Sequence, residues 1–266
     1  MSTPASLPHQ LDRTVVIHAP PETVFRFFTD PVRWASWWGK GSTIDARPGG
    51  KFLIQYPENT QAAGDVIEVT PPRRIVLTYG YVSGKLIPVG GSRVTIDVQP
   101  DPRGSRVHLR HEIADAQVRD EHIQGWRYQL SLFANVVADE VAANATSSVD
   151  RWFEAWAERD ATKREQMLGN VVTPEVRFQD RYSNLEGLQD LLPHIAASQH
   201  FMPDMRMRRA GELRHCQGTL LCDWIVSGSD GQTKAQGTNV FVLGPTGRIE
   251  WVTGFWATPS TAGSTA

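Results

Sequence analysis

Residues 125–141 read GWRYQLSLFANVVADEV. Apolar side chains recur here at the spacing of one helix face, at Trp126, Leu130, Phe133, Val137 and Val141. A series of short strands with turn residues between them precedes this stretch. A long amphipathic helix that follows an antiparallel meander predicts an α+β domain. In such a domain the helix can lie across a curved sheet and enclose a cavity.

The sequence before this helix predicts six strands, at residues 14–18, 51–56, 65–69, 74–79, 93–98 and 106–111. Two short helices lie between the first two strands and are separated at Asp30-Pro31, because proline cannot continue a helix. The turn residues at 100–104 indicate a hairpin between the last two strands. The first half is therefore expected to form one sheet, with helices at both ends of its sequence.

The second half of the chain predicts a separate α+β domain. Val149, Trp152, Phe153 and Trp156 lie on one helix face, and Ser147 or Ser148 can cap that helix. A short strand at 176–180 and a helix near 188–195 follow, and three long strands cover 219–227, 233–243 and 248–256. Small and polar residues at 142–146 mark the boundary. We predict a flexible N-terminus at 1–10, domains at 11–143 and 148–258, a linker at 144–147 and a flexible C-terminus at 259–266.

Composition excludes several classes of function. A chain of 266 residues suits two domains, and its net charge of −2 argues against nucleic-acid binding. No apolar run approaches the length of about 20 residues that a membrane span needs. The start of the chain lacks the pattern of a secretory signal. The two cysteines, Cys216 and Cys222, are expected to be free buried thiols, which favours the cytoplasm.

Known metal and cofactor signatures are also missing from the sequence. The histidines are scattered and no His-Glu-x-x-His motif occurs. No phosphate-binding loop, dinucleotide-binding glycine pattern or hydrolase nucleophile elbow is present. We therefore predict a protein that uses neither a metal ion nor a cofactor.

Motifs in the first domain point to a known family. They are Ala19–Phe25, Thr29–Pro31, Trp37-Trp38, Arg47–Gly50 with Phe52, Gly64–Val69 and Gly125-Trp126. With these motifs the domain resembles bacterial homologues of the activator of heat-shock-protein ATPase, in the START-like helix-grip (SRPBCC) superfamily. The resemblance implies an apolar cavity between the sheet and the long helix.

Five residues of the first domain are candidates for lining that cavity: Trp34, Trp38, Tyr56, His111 and Trp126. His111 shares a strand face with Val107 and Leu109 and should look inward. It is a pocket residue or a buried histidine whose nitrogens are satisfied by the protein. The tryptophans at 34, 37 and 38 either form the wall of a pocket or fill the core.

The second domain resembles SnoaL-like proteins. The motifs are Trp152-Phe153 to Trp156, residues 176–180, Gly187, Pro203-Asp204, Gly247–Ile249 and Gly254–Trp256. The superfamily includes ketosteroid isomerase, polyketide cyclases and nuclear transport factor, and it implies a cone of helices packed in a curved mixed sheet. Phe178, Trp224 and Trp256 are candidates for lining its cavity.

The resemblance carries over to four candidate catalytic residues. Asp180 matches the general base of the isomerase, and it shares a strand face with apolar residues. Apolar surroundings disfavour the charged form of a carboxylate, as suits a group that abstracts protons. Trp152 stands at the position of the isomerase's donor tyrosine and Asn239 at that of its protonated aspartate. Both differ from the family pattern but can donate hydrogen bonds, and Tyr182 is a substitute donor.

Other interpretations of these residues are open. Asp180 can cap a loop or pair with Arg177 or Arg181, and Trp152 can simply be a core residue. The sequence favours a protein that binds an apolar or aromatic small molecule in one or both domains. Whether it is an enzyme is left open; if so, proton transfer of the cyclase or isomerase type is expected. The alternative is a chaperone-ATPase-activator-like interaction protein, or one that forms homodimers through the second domain.

Overall fold

The structure is a computed structural model, and it describes residues 6–257 of the chain. Helices and strands are mixed, so the fold is of the α+β class that the sequence predicts. The chain divides into two compact units, Met1–Glu140 and Val141–Ala266. We refer to them as the first and the second unit.

The first unit holds one sheet and three helices among its described residues. Its elements are β1 (His9–Ile17), α1 (Pro21–Thr29), α2 (Pro31–Trp38), β2 (Thr43–Ile44), β3 (Lys51–Gln55), β4 (Gln61–Thr70), β5 (Arg74–Tyr81), β6 (Ser92–Asp101), β7 (Gly104–Ile113) and α3 (Ala116–Val141). The strands pair in the order β1-β7-β6-β5-β4-β3-β2, and every neighbouring pair is antiparallel. Asp30 separates α1 from α2, because its side chain accepts the N–H groups of Val32 and Arg33 and so caps α2.

The apolar face of α3 packs against α1 and α2. Phe133 stacks on Phe28 with ring centroids 4.8 Å apart, and it meets the ring of Trp37 edge-on at 4.9 Å. Leu130 and Val137 on the same face are buried as well. These contacts hold the C-terminal half of α3 against the aromatic core. Trp126, nearer the middle of the helix, lies beside the sheet.

The second unit combines three helices with a mixed sheet. Its elements are α4 (Ala145–Ala157), α5 (Ala161–Val171), β8 (Val172–Gln179), β9 (Asn184–Glu186), α6 (Leu188–Phe201), β10 (Arg206–Cys216), β11 (Thr219–Ser227), β12 (Thr233–Leu243) and β13 (Ile249–Trp256). The strand order is β10-β11-β12-β13-β8-β9, and only β13 and β8 pair in parallel among the described strands. Trp152 and Phe153 of α4 pack edge-on against Phe241 of β12 in the core.

The structure corrects two of the predicted boundaries. Strand β1 begins at His9, inside the stretch 1–10 that was expected to be flexible, because it pairs with β7 from that residue on. Helix α4 begins at Ala145, so the predicted linker 144–147 is mostly helical and neither Ser147 nor Ser148 caps it. Alanine is the best helix former, and Ala145 is buried in the core of the second unit, so the helix gains from starting early. The predicted flexible stretch 259–266 lies outside the described residues.

Both cysteines are free thiols, but only one is buried. Cys222 lies on the inner face of β11, where burial raises its pKa to about 12. Cys216 is exposed at the end of β10, the edge strand of the sheet, and the prediction of a buried thiol is wrong for this residue. No helix between residues 6 and 257 has the length and the apolar character that a bilayer crossing requires.

Candidate functional site

The second unit contains a cavity of about 420 Å³, which we call the second-unit cavity. This exceeds the volume of about 300 Å³ from which sites for drug-sized ligands begin. Its wall includes the four candidate catalytic residues Asp180, Asn239, Trp152 and Tyr182, and the three candidate ligand-binding residues Phe178, Trp224 and Trp256. The structure therefore brings together seven residues that are far apart in the sequence. Trp156 and His194 complete the aromatic part of the wall.

Asp180 follows the last residue of β8 and has two hydrogen-bond donors. Its Oδ1 accepts the backbone N–H of Tyr182 at 2.8 Å, and its Oδ2 accepts the indole N–H of Trp256 at 3.1 Å. The backbone N–H of Asp180 donates to the carbonyl of Ser183 at 2.9 Å and closes the turn. The carboxylate thus caps a loop, as one of the alternatives states, and it also lines the cavity. The two bonds hold both oxygens in a fixed orientation.

The second alternative for Asp180, an ion pair with a neighbouring arginine, is not seen among the described residues. The guanidinium of Arg177 pairs with Glu186 at 3.4 Å. That of Arg181 lies over the ring of Tyr182, 5.0 Å from its centroid. Asp180 therefore has no cationic partner that would compete with a ligand for the carboxylate.

Asn239 lies in the middle of β12, opposite Gly254 of β13, and is 2% exposed. Its side-chain amide is not among the buried polar groups that lack a partner, and it lines the second-unit cavity. A Cβ atom placed on Gly254 would lie 3.2 Å from Asn239 Oδ1 and 3.3 Å from Asp180 Cβ. The side chains of Asn239 and Asp180 therefore flank the same point of the wall, and the glycine leaves that point open.

Three tryptophans in this wall have indole N–H groups without a partner among the described residues: Trp152, Trp156 and Trp224. Trp152 is completely buried, so it is a core residue that is also part of the cavity wall. Tyr182, by contrast, is 70% exposed and packs edge-on against Trp256 at 5.5 Å. It lines the cavity at an exposed position, as do Phe201 and Met202.

His194 is a cavity residue that the sequence interpretation missed. It lies on α6 with its ring 5.8 Å from Trp156 and 5.9 Å from Phe178, and its Nε2 is 3.3 Å from the hydroxyl of Ser183. Its spacing in the sequence could have identified it, because a position three residues after the buried Leu191 lies on the inward face of the helix. Among residues 6–257, no group of three or more His, Cys, Asp or Glu is placed to hold a metal ion.

The first unit contains a wider cavity of about 690 Å³, which we call the first-unit cavity. Of the five candidates in this unit, Trp38, Tyr56 and Trp126 line it, and Trp34 and His111 do not. Trp34 is completely buried, and its indole N–H lies 3.5 Å from the carbonyl oxygen of Leu53. It fills the core, as the alternative for this cluster states.

His111 is a buried histidine whose two nitrogens are both satisfied. Its Nδ1 accepts the indole N–H of Trp126 at 3.0 Å, so the proton of the neutral ring is on Nε2. Nε2 donates to the hydroxyl of Ser92 at 2.8 Å, and that hydroxyl donates to the carbonyl of Tyr79 at 2.9 Å. Burial lowers the pKa of His111 to about 3, with a smaller contribution from His122, so the ring is neutral. Through Trp126, His111 holds the middle of α3 against the sheet instead of facing a ligand.

Comparison with known proteins bears on the first unit most directly. Residues 18–138 match the family model described as Activator of Hsp90 ATPase homolog 1-like protein. The first unit resembles this family. The prediction made from its sequence motifs is confirmed. A comparison with curated proteins gave no match.

Similar solved structures each cover about half of the chain. One is a SnoaL-like family protein from Agrobacterium tumefaciens strain C58, which is 28% identical, covers 42% of this chain and 96% of that one, and has a TM-score of 0.41. Protein CV1439 from Chromobacterium violaceum is 28% identical, with 48% and 95% covered and a TM-score of 0.41. CalU16 from Micromonospora echinospora is 25% identical, with 47% and 74% covered and a TM-score of 0.37.

The activator-like first unit also contains polar cavity residues that the sequence interpretation missed. Tyr79, Tyr81 and His122 line the cavity beside Tyr56. Tyr79 and Tyr81 alternate on β5, whereas His122 lies on α3. Their proximity depends on how α3 lies against the sheet, and local sequence patterns do not report such a contact.

Proposed function

We propose that the second unit binds an apolar or aromatic molecule that carries a carbonyl group, and that Asp180 moves a proton next to that carbonyl. One observation carries the proposal. The side chains of Asn239 and of Asp180, which has no cationic partner among the described residues, flank Gly254 in the wall of an aromatic cavity. A base beside a donor is what enolisation requires.

The reaction needs only groups of this chain. Asp180 takes the proton from the carbon next to the carbonyl, and the electron pair of the C–H bond moves to the carbonyl oxygen. The side-chain N–H of Asn239 donates to the oxyanion that forms, and the indole N–H of Trp152 is a second candidate donor. The protonated Asp180 then returns the proton to another carbon. Trp256 and the backbone of Tyr182 keep the carboxylate aimed throughout.

In this proposal the second unit is a SnoaL-like cone with chemistry of the cyclase or isomerase type, and the first unit is a helix-grip domain. The exposed apolar rim supports entry of an apolar ligand. Tyr182, Phe201 and Met202 stand at the mouth of the cavity, where water would otherwise contact them.

The test measures exchange of α-protons for deuterium in a panel of aromatic ketones by NMR. We expect Asp180→Asn to abolish the exchange that the unchanged protein catalyses, because an amide cannot accept the proton. Ketone binding should change little. The melting temperature should fall slightly, since the NH₂ group cannot accept one of the two bonds, a loss of about 1 kcal/mol. Asn239→Leu should slow exchange by about 10²–10³-fold, as expected for loss of an oxyanion donor.

Asp190→Asn is the matched control, because it makes the same chemical change at an exposed position of α6. It should leave both exchange and binding unchanged. Exchange by Asp180→Asn at the rate of the unchanged protein would falsify the assignment of the base. Loss of ketone binding together with exchange would reduce Asp180 to a turn residue.

A second candidate function is homodimer formation through the outer face of the second unit's sheet. The outer face of β11, β12 and β13 mixes polar side chains with six apolar ones: Leu221, Ile225, Val240, Val242, Trp251 and Phe255. Phe255 is 56% exposed, which is unusual for a large aromatic residue outside an interface. Sedimentation velocity should show a dimer that Phe255→Lys converts to a monomer. A monomeric unchanged protein would exclude this candidate.

A further inference from the structure

The second-unit cavity has one arginine in its wall, Arg159, and its described lining residues include no lysine. Arg159 follows α4, and its guanidinium donates to the carbonyl oxygen of Pro203, in the segment after α6. The carboxylate in the same wall, Asp180, is held by Tyr182 and Trp256 instead. The proton-transfer chemistry proposed above gives Arg159 no role. Its positive charge is therefore available to another part of the ligand.

The protein engages the guanidinium of Arg159 only weakly. Its ion pair with Asp204 has a nitrogen–oxygen distance of 3.8 Å, and the two side chains are 71% and 68% exposed. Water and dissolved salt screen such a pair, so it contributes little to stability. A ligand carboxylate can therefore take the place of Asp204 at little cost. The planar guanidinium matches a carboxylate, because two parallel N–H···O bonds can form between them.

A second arginine lies behind this part of the wall. Arg164 of α5 is 4% exposed, and its guanidinium donates to the backbone carbonyl of Glu158 at 2.8 Å and to the side-chain oxygen of Gln199 at 3.1 Å. Gln199 itself lines the cavity. Among residues 6–257, Nε of Arg164 has no hydrogen-bond partner and no carboxylate pairs with the guanidinium. Arginine is always charged in proteins, so a buried positive charge adjoins the cavity without a full counter-charge.

The groups around Arg164 supply only part of the missing negative charge. Its guanidinium and the amide of Gln199 both meet the end of α4, where the amide donates to the carbonyls of Trp156 at 2.9 Å and Glu158 at 2.8 Å. The C-terminus of a helix carries about half an elementary negative charge. The side chains of Glu158 and Asp160 accept backbone N–H groups of the next turn, and neither lines the cavity. A positive potential therefore remains on this side of the cavity and favours an anionic group.

We propose that the molecule bound in the second-unit cavity is an aromatic keto acid, and that Arg159 selects it by pairing with its carboxylate. This rests on the proposed function, in which the carbonyl lies between Asp180 and Asn239. The ionised Asp180 repels the carboxylate, whereas Arg159 and the buried charge of Arg164 attract it, so the two ends of the ligand cannot exchange places. Arg159 thus determines both the class of the substrate and the direction in which it is bound.

Calorimetric titration of the full chain compares 4-oxo-4-(2-naphthyl)butanoate with its methyl ester. The two molecules have the same rings and the same ketone, and only the acid is charged. We expect the acid to bind about tenfold more tightly at low salt, because its hydrogen bonds to the guanidinium are assisted by charge. The ratio of the two dissociation constants should approach one as salt is added. Equal affinities at low salt, or no binding of the acid, would overturn the proposal.

Two substitutions of Arg159 separate the effect of charge from that of shape. Arg159→Met keeps an extended side chain without the charge, so it should weaken the acid alone and bring the two affinities within about twofold of each other. Arg159→Glu should reverse the preference, so that the ester binds more tightly than the acid. Arg151→Met is the matched control, because it makes the same change at an exposed position of α4 outside the cavity wall. An undiminished preference for the acid in Arg159→Met would contradict the proposal.

Arg164 is a positioning residue in this scheme, because it acts through Gln199 and through its charge without touching the ligand. Arg164→Gln should reduce the preference for the acid about two- to threefold, and Arg164→Lys should restore most of it by restoring the charge. A merely structural role would weaken the acid and the ester equally. An unchanged ratio of the two affinities in Arg164→Gln would therefore contradict the role of the buried charge.

The two proposals for this cavity can fail separately. Calorimetry reports the preference for a carboxylate without any proton transfer, whereas NMR exchange reports the chemistry of Asp180. Exchange into ketones together with equal affinities for the acid and the ester would keep Asp180 as the base and overturn the keto acid. A preference for the acid that Arg159→Met removes, without any exchange, would support the role of Arg159 and contradict that of Asp180.

Discussion

Because Gly254 has no side chain, a single ligand has room to contact both Asp180 and Asn239. A methyl group at this position would meet Asn239 Oδ1 at 3.2 Å and Asp180 Cβ at 3.3 Å. Both distances are tighter than ordinary contact, so the two side chains would have to move by a few tenths of an ångström. A shift of this size in aligned reacting groups is expected to cost catalysis more than binding.

We therefore expect Gly254→Ala to slow deuterium exchange into ketones by about tenfold or more, with ketone affinity within a few-fold. NMR exchange rates and calorimetric titration of the same samples separate the two effects. Gly169→Ala is the control, because its methyl group meets no atom within 4 Å. Unchanged exchange in Gly254→Ala would show that the two side chains do not act on one ligand.

His111 makes the stability of the first unit depend on pH. Its pKa is about 3 in the folded protein because burial disfavours the charged ring, while an unfolded chain has a histidine pKa of about 6.5. Between these values the unfolded state binds a proton that the folded state does not. The contribution of the neutral ring to stability is therefore complete above about pH 6.5 and is lost progressively as the pH falls towards 3.

His111→Gln tests this linkage, because a glutamine can accept from Trp126 and donate to Ser92 without titrating. The free energy of unfolding is measured against pH for both proteins. Between about pH 6 and pH 4 the unchanged protein should lose up to about 1.4 kcal/mol per pH unit more than the variant. Parallel curves would mean that His111 is protonated in the folded state.

At the level of elements, the close approach of β12 and β13 depends on Gly237. A Cβ atom there would lie 2.0 Å from the carbonyl oxygen of Phe255 and 2.4 Å from the ring of Trp224. The obstacles are backbone and a buried indole, so neither can move aside easily. Overpacking costs about 1–3 kcal/mol, and the upper end is expected where the neighbours cannot move.

Gly237→Ala should accordingly lower the free energy of unfolding of the second unit by about that amount in urea denaturation. Trp224 lines the second-unit cavity, so ketone binding should weaken too. Gly169→Ala should stabilise the protein slightly, since alanine is the better helix former. A drop smaller than about 1 kcal/mol for Gly237→Ala would show that the strands can separate at low cost.

Periodicity in the sequence predicts elements, but it does not predict the contacts between them. The apolar face from Trp126 to Val137 was sufficient for α3, whereas the earlier start of that helix at Ala116 has no such face and was missed. Asp180 and Asn239 were found from a resemblance, Asp180 directly after β8 and Asn239 within β12. The bond between Tyr81 and His122 joins residues 41 positions apart, and no local pattern encodes it.

On the scale of the whole molecule, each unit has its own core and its own cavity. The wall of the second-unit cavity brings the side chains of Asp180 and Asn239 together among aromatic rings. The wall of the first-unit cavity combines tryptophan rings with the hydroxyls of Tyr56, Tyr79 and Tyr81. The two cavities therefore present different polar groups to a ligand.

If each unit is self-sufficient, the chain can be divided without loss of either cavity. Residues 142–144 separate α3 from α4, and Ala142 packs against the core of the second unit. Fragments 1–141 and 142–266 therefore keep every described helix whole.

We expect each fragment to unfold cooperatively on heating. A ligand at 100 times its dissociation constant adds about 2.7 kcal/mol to the fragment that binds it. An aromatic ketone should raise the melting temperature of fragment 142–266 and leave that of fragment 1–141 unchanged. Stabilisation of fragment 1–141 by the same ketone would contradict the placement of the ketone site in the second unit.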